Sequence, residues 1–433
     1  MRVFLGFLFS LIVVFACVAK DGERDYPSWF IVAPAPDNAE SVVIEEAIPP
    51  AQEEQSMQKN EEPVIGSIKS RKGHIKKSHF AKALNDSIKD KHFAKNNKDL
   101  LLAEKLFKAA YANSNNANVV VSPLSFYTVS VLIANGVVDE TLFEFSSIFP
   151  VLHLGDVNKM LKDYLDEKKD SISIYNSLWG KAFGEHYQSL MAEELGVEAW
   201  GIENSTQIIN DWVGTRTQGN IKAFATTEKI ASDDMFASGA ILFMPEKPPF
   251  EIKQADVKQF FNLDGTISKV TLLKGEAVAD YFENADMQVV KLAYPSGDTL
   301  TLFLPNNDID FEDFIDEINI NILKPKFERK EVQILIPNFD FEYGINGIQN
   351  IYELFGVKRI FAKENYDFAK MVSFDEQIKI KNVFLKSRIS LGRENATSDA
   401  EDLSTKVFFE ADHPFVFMLN DGDFIGAYIM GDK

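Results

Sequence analysis

Cysteine is almost absent from this sequence. Cys17 is the only one in 433 residues, and it lies in the apolar segment at the N-terminus. The body of the protein therefore has no disulfide framework, no thiol nucleophile and no thiolate zinc site. Its stability must come from a packed core, for which a hydrophobic content of 45% is ample.

Positive charge is also scarce. The 45 lysine and arginine residues face 65 aspartates and glutamates, so the net charge is -20 at pH 7. A field of this sign repels phosphate groups. We therefore expect neither nucleic acid nor an anionic membrane surface as a partner.

The apolar run at the N-terminus is too short for an ordinary transmembrane helix. It begins after Arg2 and extends from Val3 to Val14, whereas a span needs roughly 18 residues. A charged residue, a short apolar run and small residues up to Ala19 are typical of a secretory signal peptide. We predict a signal peptide at residues 1–19 and a secreted, extracellular protein; a membrane anchor is the alternative.

The motifs of common enzymes are missing. The chain has no Gly-x-Ser-x-Gly elbow, no His-Glu-x-x-His motif, no P-loop and no Gly-x-Gly-x-x-Gly turn. Of the six histidines, three lie before residue 98, and His413, although it follows Asp412, leads into an apolar stretch. We predict that His413 is structural, and that the protein is not an enzyme and uses no cofactor or metal.

Residues 20–98 differ in composition from the rest of the chain. The stretch 20–63 is acidic and rich in proline, whereas 64–98 carries ten basic residues against two acidic ones, a net charge of +8. Neither stretch has the apolar content of a core, so we predict a disordered, acidic-then-basic extension. Segment 69–98 places aromatic residues beside basic ones, which suits a polyanion such as a glycosaminoglycan; a solvated linker is the alternative.

From residue 99 onwards the sequence is typical of a globular domain. Apolar residues recur at helical spacing between Leu100 and Tyr111, and Ser122-Pro123 combines a capping serine with a proline in the first turn of a helix. Strand patterns follow at 299–304, 332–336, from 378 onward and at 407–419. Helices early and strands late, without βαβ alternation, favour an α+β fold.

Five sets of short segments, in order along the chain, resemble one protein family. They are Asn118–Ser125; Ile209–Val213 with Thr217–Ile221; Val289–Tyr294 with Leu302–Pro305; Ile336–Phe339 with Leu354–Phe361; and Phe409–Phe415 with Ile425–Gly431. The last set is similar to the C-terminal signature of the serpins, the serine protease inhibitor superfamily. The resemblance implies one domain, at residues 99–433, of three β-sheets and eight or nine helices with an exposed reactive loop.

The reactive loop is where the chain departs most from this family. In inhibitory serpins a protease cuts the loop, which then inserts into the central sheet as a new strand. The hinge that allows this corresponds here to residues 391–403. Asn395 stands where the family has glycine, Ala396 where it has threonine, and Arg393 where it has glutamate.

The inward-facing positions of an inserted loop are also altered. With alternating strand parity, these positions would be Ala396, Ser398, Ala400 and Asp402. Three of them are small, but burial of the Asp402 carboxylate without a partner is strongly unfavourable. The loop is therefore poorly suited to insertion.

The loop is short as well. By alignment, the chain between Asn395 and Pro414 has roughly six to ten residues fewer than inhibitory relatives, so we expect a full strand to run out of chain. Counting forward from the hinge places the cleaved bond near Phe409, and counting back from the C-terminal signature places it near Ala400. On chemistry alone Lys406-Val407 is the best site, because a trypsin-like protease prefers a basic residue.

Two other features bear on loop movement. The family's central shutter keeps Ser122 and Ser125, but Leu385 replaces its histidine, and Gly239 begins the segment that corresponds to its Asn-Ala-Ile-Tyr-Phe strand. Three Asn-x-Ser/Thr sequons predict glycosylation at Asn85, Asn204 and Asn395. A glycan on Asn395 would prevent the hinge from entering a sheet.

We therefore predict a monomeric, secreted serpin that is non-inhibitory and acts through binding, as a carrier, a decoy substrate or an assembly component. The alternative is an inhibitor of a serine protease, with its reactive bond at Lys406-Val407.

Overall fold

A computed structural model describes residues 97–431, except for 181–182, 203–204, 227–229, 232, 363–366, 373–377 and 393–406. Within this part of the chain the α-helices are α1 Asn97–Tyr111, α2 Pro123–Gly136, α3 Asp139–Glu144, α4 Leu154–Lys168, α5 Glu185–Leu195, α6 Gln207–Arg216, α7 Phe311–Glu317, α8 Ile320–Leu323 and α9 Ile348–Leu354. The strands are β1 Val119–Val121, β2 Ile172–Gly180, β3 Glu198–Gly201, β4 Asp234–Phe243, β5 Glu251–Phe261, β6 Ile267–Glu283, β7 Met287–Ala293, β8 Thr299–Pro305, β9 Glu328–Pro337, β10 Asp340–Gly344, β11 Lys379–Ser390, β12 Val407–Glu410, β13 Phe415–Leu419 and β14 Phe424–Tyr428.

The helix starts follow from local sequence. Ser122 is the N-cap of α2: its Oγ accepts a hydrogen bond of 3.1 Å from the Ser125 N–H, and Pro123 occupies the first turn, as predicted. Every residue of α2 is buried, so this helix runs through the core and not along the surface. The helix predicted to start near Leu100 is α1.

One sheet has nine strands in the order β1-β14-β13-β8-β7-β6-β9-β12, with β5 paired to β6 as a branch. The 17-residue strand β6 joins two parts of this sheet: its first residues pair with β5, its middle with β9 and its end with β7. The second sheet has five strands in the order β10-β11-β4-β2-β3. The five-stranded sheet and the two parts of the larger one correspond to the three sheets that the sequence predicted, and the α+β fold is confirmed.

The five-stranded sheet separates two apolar layers. Alternate residues of β4, such as Ala237 and Ile241, face the main core, which also contains α1 and α2. The other set, including Phe236 and Ala240, packs on the opposite face under α6, with three of the four tryptophans. The sheet is therefore covered on both faces, which explains why every residue of β4 is buried.

Candidate functional site

The chain leaves the five-stranded sheet at the end of β11. The Leu391 N–H donates a hydrogen bond of 3.0 Å to the Phe339 carbonyl. Gly392 follows with a φ of 144°, where an added Cβ would lie 2.6 Å from the backbone nitrogen of Pro248. Both the conformation and the close approach require glycine, so the start of the loop is held against the backbone of residues 247–248.

The chain returns at Val407, the first residue of β12. This strand pairs in parallel with β9, from Val407 opposite Val332 to Glu410 opposite Leu335. Phe409 is 0% exposed and belongs to the main core. Sixteen residues, 391–406, therefore connect β11 to β12, and both ends of the connection are fixed in sheets.

These anchors bear on the candidate cleavage positions. Phe409 lies in a paired strand and is fully buried, so a bond beside it is not accessible to a protease in the folded domain. The Lys406-Val407 bond lies at the edge of the same strand. A protease binds extended substrate on both sides of the bond that it cuts, so it would first have to separate Val407 and Phe408 from β9.

The length of the loop can be compared with the strand beside which it would insert. The strand β4, beside which an inserted strand would lie, has ten residues, and residues 393–406 provide fourteen. A reversal of direction uses about four residues, so about ten remain if the cut falls at Lys406. A cut before Lys406 leaves fewer than ten residues, so a full strand can form only if the cut falls at or next to Lys406.

Of the predicted loop residues, only Val407 belongs to the part of the chain that the structure describes. Outside it lie the predicted loop residues Asn395, Ala396, Ser398, Ala400, Asp402 and Lys406, the sequons at Asn85, Asn204 and Asn395, and the extension up to residue 96. The roles assigned to these residues stay predictions.

The pair β4–β11, which we call the seam, is where a new strand would enter. These strands are parallel and pair from Asp234 opposite Lys379 to Phe243 opposite Ile389. Their other neighbours, β2 and β10, run antiparallel to them. A strand that continued from the end of β11 and turned back into the seam would be antiparallel to both sides, which is the more stable pairing.

Ion pairs close the end of the seam farthest from the loop. Lys379 Nζ lies 2.6 Å from Asp233 Oδ2 and 3.2 Å from Asp234 Oδ1, and Lys381 Nζ lies 3.7 Å from Asp234 Oδ2. The hydrogen bond from Lys379 holds the pKa of Asp233 below its usual value. These contacts join β11 to β4 and to the residue before it, so opening of the seam must break them.

The outer face of the seam is held by two cations of β11. Lys386 Nζ donates to the Ala223 carbonyl at 2.6 Å, and Arg388 donates to the Asn220 carbonyl at 2.7 Å. Both acceptors belong to the segment that follows α6. This segment is thereby fastened to β11, while α6 packs on the same face of the sheet, where Trp212 contacts Trp179 of β2 edge to face.

Around Gly239 of β4, whose partner residue on β2 is Asn176, two buried polar atoms have no hydrogen-bond partner among the described residues. They are Ser125 Oγ and Asn176 Oδ1. A Cβ built on Gly239 would lie 2.7 Å from Ser125 Oγ and 3.0 Å from Leu385 Cδ2, so these groups are neighbours. Neither Gly239 nor Leu385 offers a polar side chain, which explains why the Ser125 hydroxyl is left unsatisfied.

His413 has a structural environment. Its Nδ1 lies 2.8 Å from Asp412 Oδ1, and its Nε2 lies 2.8 Å from the Pro305 carbonyl oxygen. Burial lowers the pKa of His413, but these two hydrogen bonds outweigh that effect and raise it. Both nitrogens are engaged within the protein, so neither is placed to take a proton from a substrate.

The described part of the chain offers neither a metal-binding cluster nor a membrane-spanning helix. Within the described residues, histidine, cysteine, aspartate and glutamate form no group of three or more that could hold a metal ion. No described helix is long and apolar enough to cross a membrane.

Sequence reasoning did not single out Gly392 or the ion pairs of Lys379. For Gly392 the available signal was its place directly after the β11 pattern. For Lys379 it was a lysine pair, Lys379 and Lys381, at the start of an otherwise buried strand. In both cases the partner residues are more than 100 positions away, so the contacts themselves could not be read from the sequence.

Comparison with known proteins gives consistent results. The family model described as "Serpin (serine protease inhibitor)" matches residues 97–431, well over half of the chain. Similar curated proteins include Serpin B7 of Homo sapiens, 24% identical over 74% of this chain and 94% of that protein, and Serine protease inhibitor 2 of Anopheles gambiae, 23% identical over 77% and 90%.

Two solved structures are similar in fold. Native protease nexin-1 with heparin superposes with a TM-score of 0.67 at 17% identity, covering 77% of this chain and 98% of that one. Tengpin, a thermophilic serpin in its native state, superposes with a TM-score of 0.66 at 22% identity, covering 84% and 96%. At these identities the likeness supports the fold alone.

Proposed function

Because this chain belongs to the serpin family, we propose that it is a secreted, non-inhibitory serpin that acts by binding and not by trapping a protease. Serpins are generally protease inhibitors and not catalysts, and the geometry of His413 agrees with a non-enzymatic role for this chain. We propose that its binding role is that of a carrier, a decoy substrate or an assembly component.

The observation that carries the proposal is the position of β12. An inhibitory cut must leave enough chain to fill the seam, and only a cut at or next to Lys406 leaves about ten residues beyond the turn. That bond adjoins Val407, which is already paired with β9. Bonds nearer the middle of the loop avoid the strand, but a cut there leaves too little chain.

The side chains give further support. The seam is closed along its whole length, and ion pairs of Lys379 fasten its far end. An inserted loop would bring the predicted inward residue Asp402 into the main core. The free energy gained from new strand pairing, about 1 kcal/mol for each hydrogen bond, would be reduced by the burial of that carboxylate.

The N-terminal features define where the protein would act. We propose that residues 1–19 direct secretion and that the basic segment 69–98 binds a polyanion such as a glycosaminoglycan. The net charge of +8 on residues 64–98 supports this, as does the fold likeness to a serpin whose structure was solved with heparin. Glycosylation at Asn85, Asn204 and Asn395 belongs to the same proposal.

The second candidate function is inhibition of a serine protease through Lys406-Val407. It is favoured by the basic residue Lys406 and by relatives named as serine protease inhibitors. It requires that β12 separate from β9 when the protease binds.

A protease-trapping assay distinguishes the two functions. The chain is incubated with trypsin at equal concentration and separated on a denaturing gel, beside an inhibitory serpin as positive control. We expect cleavage of the loop without an adduct. A band of the combined mass in the wild type that is lost in Lys406→Ala would overturn the proposal and establish the second candidate.

A further inference from the structure

Two titratable groups stand at the two ends of β13, the central strand of the C-terminal hairpin β13–β14. His413 precedes β13, and Asp423 lies in the turn that follows it. Neither is part of the reactive loop. Their surroundings show which protonation state the folded protein prefers.

The surroundings of His413 require two protons. Its ring nitrogens face two acceptors, the Asp412 carboxylate and the Pro305 carbonyl, each at 2.8 Å. A neutral imidazole carries one N–H and leaves one of these contacts without a hydrogen. The imidazolium form satisfies both and joins the end of β8 to the start of β13.

The surroundings of Asp423 contain too much negative charge. Its carboxylate is buried and accepts hydrogen bonds from the Tyr164 hydroxyl at 2.6 Å and from Asn420 Nδ2 at 2.8 Å. The same Nδ2 also donates to Asp298, 2.7 Å away. Two carboxylates therefore share one amide donor in the interior.

Among the described residues, Lys168 is the cation that the structure places beside these two carboxylates. Lys168 Nζ lies 3.0 Å from Asp298 Oδ1, and Ser296 also donates to Asp298. Glu167, on the same helix as Lys168, adds negative charge nearby. When both aspartates are ionised, one buried negative charge lacks a counterion, and protonation of Asp423 removes it.

We propose that the C-terminal hairpin binds protons at both ends and makes the folded domain more stable in mildly acidic surroundings than at neutral pH. The hairpin is connected to the seam, because Ser122 Oγ donates to the Asp423 carbonyl at 2.6 Å and caps α2, the helix that carries Ser125. Acidification would therefore hold the closed five-stranded sheet more firmly.

The direction in which stability changes with pH follows from the pKa shifts of Asp423 and His413. Burial raises the pKa of Asp423 to about 6 from 3.8, in spite of the hydrogen bonds from Tyr164 and Asn420. Its stabilising effect is complete below the unfolded pKa of 3.8 and is lost as the pH rises through about 6. The pKa of His413 is raised above 6.5, so its effect is complete below 6.5 and is lost as the pH rises further.

The neighbouring carboxylate of Asp298 acts outside this range. Hydrogen bonds from Ser296, Asn420 and Lys168 outweigh burial and hold the pKa of Asp298 below its usual value. Its contribution is present above its unfolded pKa of 3.8 and is lost only in stronger acid. Between pH 4.5 and 8 we therefore expect Asp423 to act in the lower part and His413 in the upper part.

The test is the unfolding equilibrium of the full chain between pH 4.5 and 8. We expect the unfolding constant of the wild type to rise by up to about tenfold for each pH unit between 4.5 and 6, and to continue rising above 6.5. Asp423→Asn should abolish the pH dependence of unfolding between pH 4.5 and 6, and His413→Gln should abolish the pH dependence above 6.5. Asn fits at position 423 because its oxygen can accept from Asn420 while its amide donates to the Tyr164 oxygen.

Asp421→Asn is the matched control. Asp421 lies in the same turn but is about two-fifths exposed and pairs with Lys291, so this variant should keep the whole pH dependence. A wild-type stability that is flat or increases from pH 4.5 to 8 would overturn the proposal without any variant. If Asp423→Asn left the pH profile unchanged, Asp423 would not be responsible for the pH dependence.

Discussion

Ser122 and Ser125 lie three residues apart at the start of α2, yet the structure gives them opposite contributions to stability. Ser122 Oγ accepts from the Ser125 N–H at 3.1 Å and donates to the Asp423 carbonyl at 2.6 Å. Ser125 Oγ is buried with no hydrogen-bond partner among the described residues. Substitution by alanine should therefore destabilise the domain at position 122 and stabilise it at position 125.

The magnitudes follow from the contacts. A buried hydroxyl without a partner costs about 1–3 kcal/mol. The void left by one oxygen atom costs a few tenths of a kcal/mol. Ser125→Ala should thus raise the free energy of unfolding by about 1 kcal/mol. Ser122→Ala loses a helix cap, about 1 kcal/mol, and a second buried hydrogen bond of about 1 kcal/mol, so it should lower the free energy by about 2 kcal/mol.

Urea unfolding measures both effects. With a slope of about 3 kcal/mol per molar urea, the midpoint should move up by about 0.3 M for Ser125→Ala and down by about 0.7 M for Ser122→Ala. The two variants control for each other, because both remove the same atom from the same helix. If Ser125→Ala lowered the midpoint as much as Ser122→Ala, the Ser125 hydroxyl would have a partner in solution, and the assignment of the shutter would be wrong.

Three further predictions concern other parts of the chain. Because Cys17 lies in the predicted signal peptide, the secreted protein should show no thiol on titration under denaturing conditions; one thiol per chain would contradict signal cleavage. The intact chain should be retained on a heparin column and released by moderate salt, since exposed ion pairs are screened over about 10 Å at 0.1 M; equal retention after removal of residues up to 98 would exclude the basic segment. Gly392→Ala should lower the free energy of unfolding by about 2 kcal/mol or more, because the new Cβ meets the Pro248 backbone. The control Gly297→Ala, at a φ of 90° with open space around it, should lower it by only about 1 kcal/mol. Equal losses would show that Gly392 is under no steric pressure.

The fold was predictable where short-range pattern decides structure. The Ser122 cap, the helix α1 and the strands β8, β9 and β11 all follow from residues that are close in sequence. The C-terminal signature placed β13 and β14 correctly in relation to the loop. These elements are the ones whose side-chain period or capping chemistry is visible in a short window.

The site was less predictable because its contacts join distant segments. Counting residues gave two incompatible cleavage positions, and only the pairing of β12 with β9 showed that Phe409 is inside the sheet. Asp423 gave no sequence signal, because its partner Tyr164 is 259 residues away. How much chain an inserted strand must fill could not be read from the sequence, because the ten residues of β4 set it.

The melting temperature of the loop-cleaved protein tests the central claim most directly. The loop is cut with trypsin, mass spectrometry confirms that the cut lies after Lys406, and the thermal unfolding of cut and intact chains is compared. Full insertion would add about ten strand hydrogen bonds, worth about 10 kcal/mol, and raise the melting temperature by about 20 °C or more. We predict a change of no more than a few degrees; an increase of about 20 °C would show that the loop enters the seam and would contradict the non-inhibitory function.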